Sequence, residues 1–234
     1  MDLDPRPQDA VDLLRRVVRS CRRRRAWKVA DSTGAELSGV DVLARALVLR
    51  RLLRRLALGT NERRGGVLLP PMAAAVVTDL ALALDRRVIV NLNYSLSPEL
   101  LDPCIAQADI RHVVTSRKFI ERLGVSPGAE VVYLEDLRAE PTMLDKAIAA
   151  VRAALPAGLL LWMLGLHRAD ADDIMSVLFT SGTTGEPKGV MLTYANVAHN
   201  VAAVEAVIRL RSSDVLIGAG GHGTSSHGVG RAAQ

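Results

Sequence analysis

Cysteine is scarce in this sequence: Cys21 and Cys104 stand far apart in 234 residues and match no metal-ligand or redox spacing. That excludes a disulfide framework and places the chain in a reducing compartment, so a cytoplasmic location is expected. Long apolar runs are missing too. The longest candidates, around Val67–Leu69 and Leu159–Leu166, fall well short of the roughly 20 residues that span a bilayer. Met1–Arg25 mixes acids and arginines without an uninterrupted apolar stretch, so it does not read as a secretory signal. Aromatic residues make up 3% and none is interleaved with the basic clusters, which removes the stacking platforms of single-strand binders. Nucleic acid is therefore not an expected partner.

What is present is the composition of a soluble globular chain, 49% hydrophobic, with room for one ordinary domain or a large piece of a bigger one. The formal charge of +5 is unevenly spread. Arg15–Lys28 holds eight basic residues and no acid, and Arg50, Arg51, Arg54 and Arg55 form a second group. Such a face suits a solvated helix surface, anionic lipid in a peripheral membrane contact, or an acidic carrier protein.

Along the chain, Pro7–Arg25 reads as a basic helix, and Trp27–Ser32 followed by Thr33-Gly34 as a strand and turn. From Val42 the apolar residues Val42, Ala46, Leu49, Leu53 and Leu56 recur at helical spacing, with Arg45, Arg50, Arg51, Arg54 and Arg55 largely off that stripe. A strand-then-helix rhythm follows: Gly66–Pro70, a helix to Leu84, Arg87–Leu92, a helix over Pro98–Ala108, Arg111–Ser116, Glu130–Leu134, and a helix near Met143–Leu155. Strands joined by helices imply an α/β fold with a mostly parallel sheet flanked by helices. Pro156–Gly158 reads as a connection. The final segment, Gly218–Gln234, has six glycines and almost no bulky apolar side chain, so a disordered tail is expected.

The segment Ser176–Thr193 carries the chemistry. Two apolar strands, Val177–Phe179 and Val190–Leu192, flank a loop in which Gly182, Gly185 and Gly189 permit positive φ and let backbone N–H groups face an anion. Thr180, Ser181, Thr183 and Thr184 surround it with hydroxyls, and Lys188 adds a point charge suited to phosphate. A P-loop would require Gly-Lys-Ser/Thr. Here Gly185 is followed by Glu186-Pro187-Lys188-Gly189, so the P-loop reading fails.

The run Thr180–Gly189, T-S-G-T-T-G-E-P-K-G, resembles the phosphate-binding signature of the adenylate-forming superfamily at every defined position. That superfamily comprises the AMP-binding acyl-CoA and acyl-acyl-carrier-protein synthetases, luciferases and peptide-synthetase adenylation domains. Ala30–Ser38, Val67–Leu84 and Val90–Leu101 are similar to its earlier segments, most of all in members that activate fatty acids. The resemblance implies part of the N-terminal domain of the synthetase fold over residues 26–217, after a basic helix at 1–25 and before the tail at 218–234. It also implies ATP and Mg2+ as cofactors, a carboxylic acid such as a fatty acid as substrate, and CoA or acyl carrier protein as acceptor. Ser181, Thr183, Thr184 and Lys188 would grip pyrophosphate, with Thr180 beside them and Gly182, Gly185 and Gly189 shaping the loop; none acts as an acid or base.

The sequence departs from the family pattern at Ser38-Gly39, in place of Thr-Tyr, at Tyr194, in place of His, and wholly after Leu216. The family's later adenine, magnesium, ribose and lysine motifs are absent from these 234 residues, so the Mg2+ ligand is expected outside them. The change of pattern at Gly218 reads as a frameshift or misjoined gene. Thr193 reads as the N-cap of a helix with the stripe Val197, Val201, Val204 and Ile208, and His199, His222 and His227 are not expected to bind metal. Asn91, Asn93 and Tyr94 fit either a ligand-binding strand end or a simple turn. Three function classes follow: part of an acyl-activating ligase, inactive alone; a non-catalytic nucleotide-binding remnant; or a basic domain that docks on membranes or carrier proteins.

Overall fold

The computed structural model describes residues 10–23, 27–59, 61–93, 98–181, 187–208, 215–217 and 228–230. Helix α1 (Ala10–Arg23) precedes a small antiparallel hairpin, β1 (Trp27–Ala30) and β2 (Glu36–Ser38). Helix α2 (Gly39–Leu56) starts at a capping box: the Asp41 N–H donates to Ser38 Oγ at 3.2 Å, and the Ser38 N–H donates back to the Asp41 carboxylate at 3.0 Å. Gly39 matters for a second reason. A Cβ there would collide with the backbone of Cys21, so the absent side chain lets α1 lie directly on the start of α2.

Strands and helices then alternate: β3 (Arg64–Val67), α3 (Ala73–Leu84), β4 (Val88–Asn91), α4 (Pro98–Gln107), β5 (His112–Thr115), α5 (Arg117–Leu123), β6 (Glu130–Tyr133), α6 (Leu134–Ala139), α7 (Met143–Ala154) and α8 (Ala157–Met163). A long hairpin, β7 (Ile174–Ser181) and β8 (Pro187–Thr193), leads into α9 (Tyr194–Ile208). The main sheet has six strands in the order β6-β5-β3-β4-β7-β8; the first five are parallel and β8 is antiparallel at the edge. This is the α/β architecture that the strand-helix rhythm implies.

Helices cover both faces. On one, α1, α2, α3, α7 and α8 bury Leu14, Leu43, Leu47, Leu82 and Leu160 against Val67, Ile89 and Val114 of the sheet. On the other, Leu101, Cys104 and Ile105 of α4 and Phe119 of α5 pack on Val90, Val113, Val177 and Phe179. Neighbouring residues in a strand point to opposite faces, which is why Ile89 and Val90, or Val114 and Val113, fall into different cores.

Three expectations need correction. Arg50, read as an off-stripe arginine, is buried: its Nε donates to the Leu84 carbonyl at 3.1 Å and lies 3.0 Å from Asp85 Oδ1. Leu56, the last residue of the apolar stripe and so expected against the core, is exposed. The segment after Leu155, read as a connection, includes α8, with Pro156 at its N-cap. A further tie joins α7 to α2. The Asp145 carboxylate completes a capping box with Thr142 and also accepts from Arg51 and Arg55 at 2.9 and 3.1 Å, which holds its pKa down at about 2. In the glycine-rich tail, Gly228–Gly230 (β10) pairs antiparallel with Val215–Ile217 (β9); the rest of that segment lies outside the described residues.

Candidate phosphate-binding site

The hairpin β7–β8 is held to the sheet by only part of its length. Ile89–Asn91 of β4 pair with Ser176–Leu178 of β7, and beyond Leu178 the hairpin continues with only its own partner strand: Phe179 opposite Gly189, Thr180 opposite Lys188, Ser181 opposite Pro187. Since β7 runs parallel to β4, this extension stands beyond the carboxyl ends of the parallel strands, the edge at which open α/β sheets bind ligands. Asn91 closes β4 at that edge.

The period of two sorts the side chains of the hairpin. Leu178, Thr180, Lys188 and Val190 share one face, while Val177, Phe179, Gly189 and Met191 share the other. Thr180 and Lys188 are exposed, and the Thr180 hydroxyl sits 3.4 Å from the Lys188 carbonyl across the ladder. The ammonium group of Lys188 thus rises from an exposed ledge beside Leu178 and Val190, which are 40% and 44% exposed. On the opposite face Val177 and Phe179 are buried and anchor the hairpin.

Of the residues expected at the site, Thr180, Lys188 and Gly189 are placed in this way, together with the backbone of Ser181. Gly182, Thr183, Thr184, Gly185 and the Ser181 side chain lie outside the described residues. Gly189 serves a purpose different from the one read in the sequence. It does not take positive φ; a Cβ there would stand 3.3 Å from both the Phe179 ring and the Val177 side chain. Its role is to leave room for the Phe179 ring and the Val177 side chain beside it. Pro187 occupies the first position of β8, where its missing N–H costs little in an edge strand.

Just beneath this edge lies a pair that sequence reasoning treated only in half. Asp79, the one charged residue in the apolar helix α3, hydrogen-bonds through its side chain to Asn91, and burial pushes its pKa up to about 6. Its Oδ1 is shut off from water with no hydrogen-bond partner. A lone carboxylate among AAAVVTDLALAL was the available signal. Asn93 follows Leu92 at the strand end, while Tyr94 lies outside the described residues. Thr193 does cap α9: the Asn196 N–H donates to Thr193 Oγ1 at 3.2 Å and the Thr193 N–H donates to Asn196 Oδ1 at 3.0 Å. The stripe of that helix is not buried, however, since Val201, Val204 and Ile208 are 41%, 43% and 38% exposed.

No group of three His, Cys, Asp or Glu side chains able to hold a metal occurs among the described residues, so no magnesium ligand is assigned here. Nor, among the described residues, is any helix long and apolar enough to cross a membrane. Among the described residues, the exposed ledge presents the ammonium group of Lys188 and the hydroxyl of Thr180.

A mostly parallel sheet flanked by helices, with an antiparallel hairpin at its edge, defines an α/β domain. The family described as AMP-binding enzyme matches residues 14–220, and the chain belongs to it. Among its relatives, long-chain-fatty-acid–CoA ligase 5 of Mus musculus is 31% identical over 167 residues, covering 61% of this chain and 23% of that protein. The 4-coumarate–CoA ligase 1 of Oryza sativa subsp. japonica is 30% identical over 199 residues, 81% of this chain and 34% of its own length. ATP-bound MatB from Rhodopseudomonas palustris superposes with a TM-score of 0.63 at 24% identity, over 86% of this chain and 38% of that one. VinN in complex with 3-methylaspartate gives 0.63 at 20% identity, over 88% and 53%. The chain therefore spans about a quarter to a third of these curated relatives and at most about half of these solved neighbours.

Proposed function

We propose that this chain supplies the phosphate-gripping part of an ATP-dependent acyl-activating ligase, with a fatty acid as the carboxylate. The reading rests on one observation above the others: the ends of β7 and β8 continue past the carboxyl end of β4 with Lys188 opposite Thr180 on their exposed face. In the reaction of the family, a carboxylate oxygen attacks the α-phosphorus of ATP and the bond to the β-phosphate oxygen breaks. Pyrophosphate leaves with that electron pair, and a thiol then displaces AMP from the acyl carbon. Lys188 and the hydroxyls of Ser181, Thr183 and Thr184 would neutralise and position the departing pyrophosphate, so their contribution is electrostatic stabilisation rather than proton transfer.

The long-chain ligases among the relatives support a fatty acid as substrate, and CoA or an acyl carrier protein is the acceptor this chemistry calls for. Because the family's adenine, ribose and lysine motifs are absent from these 234 residues, we take the chain alone to bind ATP or pyrophosphate without completing adenylation. We place its work in the cytoplasm, with residues 1–25 as a basic N-terminal helix whose exposed side could meet a membrane surface, 26–217 as the partial synthetase domain and 218–234 as a glycine-rich tail. Pyrophosphate exchange and ATP binding by the purified chain, with a panel of fatty acids, test this. Expected are measurable ATP binding, its loss by at least about tenfold, roughly 1.4 kcal/mol, in Lys188→Ala, and no exchange. Wild-type binding that survives Lys188→Ala unchanged would overturn the assignment of the loop.

A further inference from the structure

Away from the hairpin, on the face covered by α2, α3 and α7, the structure contains an open cavity of about 490 Å3 lined by no residue of β7 or β8. Its walls are mostly apolar: Leu37, Val48, Leu52, Val77, Leu137 and Ala149 contribute from five different elements. This is the size and character of a small-molecule site, and it lies within a helical layer that is otherwise tightly packed. Its polar groups are unevenly committed. The one lining carboxylate, Asp31, is consumed in holding the chain together: its oxygens accept from the Thr33 N–H at 2.9 Å, the Thr33 hydroxyl at 2.5 Å and the Ala73 N–H at 2.8 Å.

Three exposed cations also line the cavity: Arg45 on α2, Arg138 on α6 and Lys146 on α7. Arg45 stands one turn after Asp41 and shares its field. The side chains of Arg138 and Lys146 make no hydrogen bond or ion pair with any described residue. An apolar cleft with uncommitted cations at its opening is complementary to an amphiphile that has an apolar tail and an anionic head.

We infer that this cavity is a second ligand site, distinct from the phosphate loop, and that it binds a long-chain carboxylate with the tail among Val48, Leu52 and Val77 and the head at Arg138 and Lys146. Nothing in the ligase chemistry above requires it; only the choice of a carboxylate over other anionic heads rests on that reading. A fatty acid held there would touch α2, α3 and α7 at once.

Calorimetric titration of the full chain with dodecanoate and with 1-dodecanol, both below their aggregation limits, tests the inference. One site for dodecanoate is expected, with the alcohol binding at least tenfold more weakly. The double variant Arg138→Ala/Lys146→Ala, which alters only exposed side chains, should weaken dodecanoate to the level of the alcohol. Val48→Trp, placing an indole in the cleft, should abolish both, with circular dichroism showing that the fold is kept. Absence of dodecanoate binding, equal binding of acid and alcohol, or dodecanoate affinity unchanged in the double variant would overturn the proposal. Lys188→Ala must leave dodecanoate binding intact, so a failure of the phosphate-loop assignment and a failure of this one give different results.

Discussion

The helical layer over α3 and the β7–β8–α9 end are built from similarly apolar sequence but meet water very differently. In the first, Leu14, Leu43, Leu47, Leu82, Leu84 and Leu160 are at most 1% exposed. In the second, Leu178, Val190, Met191, Val201, Val204 and Val207 are between 40% and 83% exposed. The layer is braced by caps and ion pairs that cross between helices, such as Asp145 with Arg51 and Arg55; the hairpin is anchored on one side only, by Val177 and Phe179. Stability therefore resides in the layer, and the residues assigned to chemistry lie where they contribute little to it. An exposed apolar surface of this kind is also where a partner would gain most by docking.

The sharpest way to break this comparison is a matched pair of truncations. Leu82→Ala removes a side chain that is fully out of water, so a loss of about 2–5 kcal/mol is expected in urea unfolding. Val204→Ala, on the open face of α9, should change stability by less than about 0.5 kcal/mol. Equal losses would show that the open end is as tightly covered as the layer.

Between the two regions lies Asp79, and there the expected effect has the opposite sign. Its folded pKa is raised from 3.8 to about 6 because burial penalises the carboxylate, with the hydrogen bond from Asn91 offsetting only part of this. A carboxyl shifted upward stabilises the fold while protonated, below about pH 4, and that contribution disappears as pH rises through about 6. Asp79→Asn should therefore stabilise the protein by up to about 2–3 kcal/mol at pH 7 and by almost nothing at pH 4. Urea midpoints measured across that window check it; a gain that is equal at both pH values would mean that the titration of Asp79 is not the cause.

A smaller effect is expected at the cap of α9. Thr193→Ala removes the acceptor of the Asn196 N–H and should cost about 1 kcal/mol or less, because α9 is the least covered of the long helices. Loss of α9 helicity without a shift in the main unfolding transition would place that helix outside the cooperative unit.

The two regions also differed in how readily the sequence could be read. Parallel strands buried on both faces leave short continuous apolar runs, and VIV, HVV and EVV gave away β4, β5 and β6 to within a residue or two. The candidate phosphate loop stood out because its glycines, hydroxyls and lysine crowd into ten consecutive positions. Contacts over long sequence distances were not legible. Nothing near Arg50 reveals that the end of α3 supplies a carbonyl and Asp85 to receive it, so a helical wheel sends that arginine to solvent. Asp79 was passed over because a single acid in a helix means little until its neighbour Asn91 is known. The stripe of α9 was read correctly as a pattern, but a pattern does not say whether anything covers it.

The smallest expected change in stability is also the most informative about function. Lys188 is exposed, lies on the free part of the hairpin and makes no side-chain hydrogen bond or ion pair with the described residues. Lys188→Ala should therefore leave the urea midpoint within about 0.5 kcal/mol of the parent, while ATP affinity falls at least about tenfold. The two measurements on one variant separate the explanations. If affinity falls because the fold is damaged, the midpoint must move with it. If the ammonium group acts only on the bound phosphates, affinity falls alone, and raising the salt concentration should weaken wild-type binding toward the level of the variant, because a point charge held out in water is screened by ions.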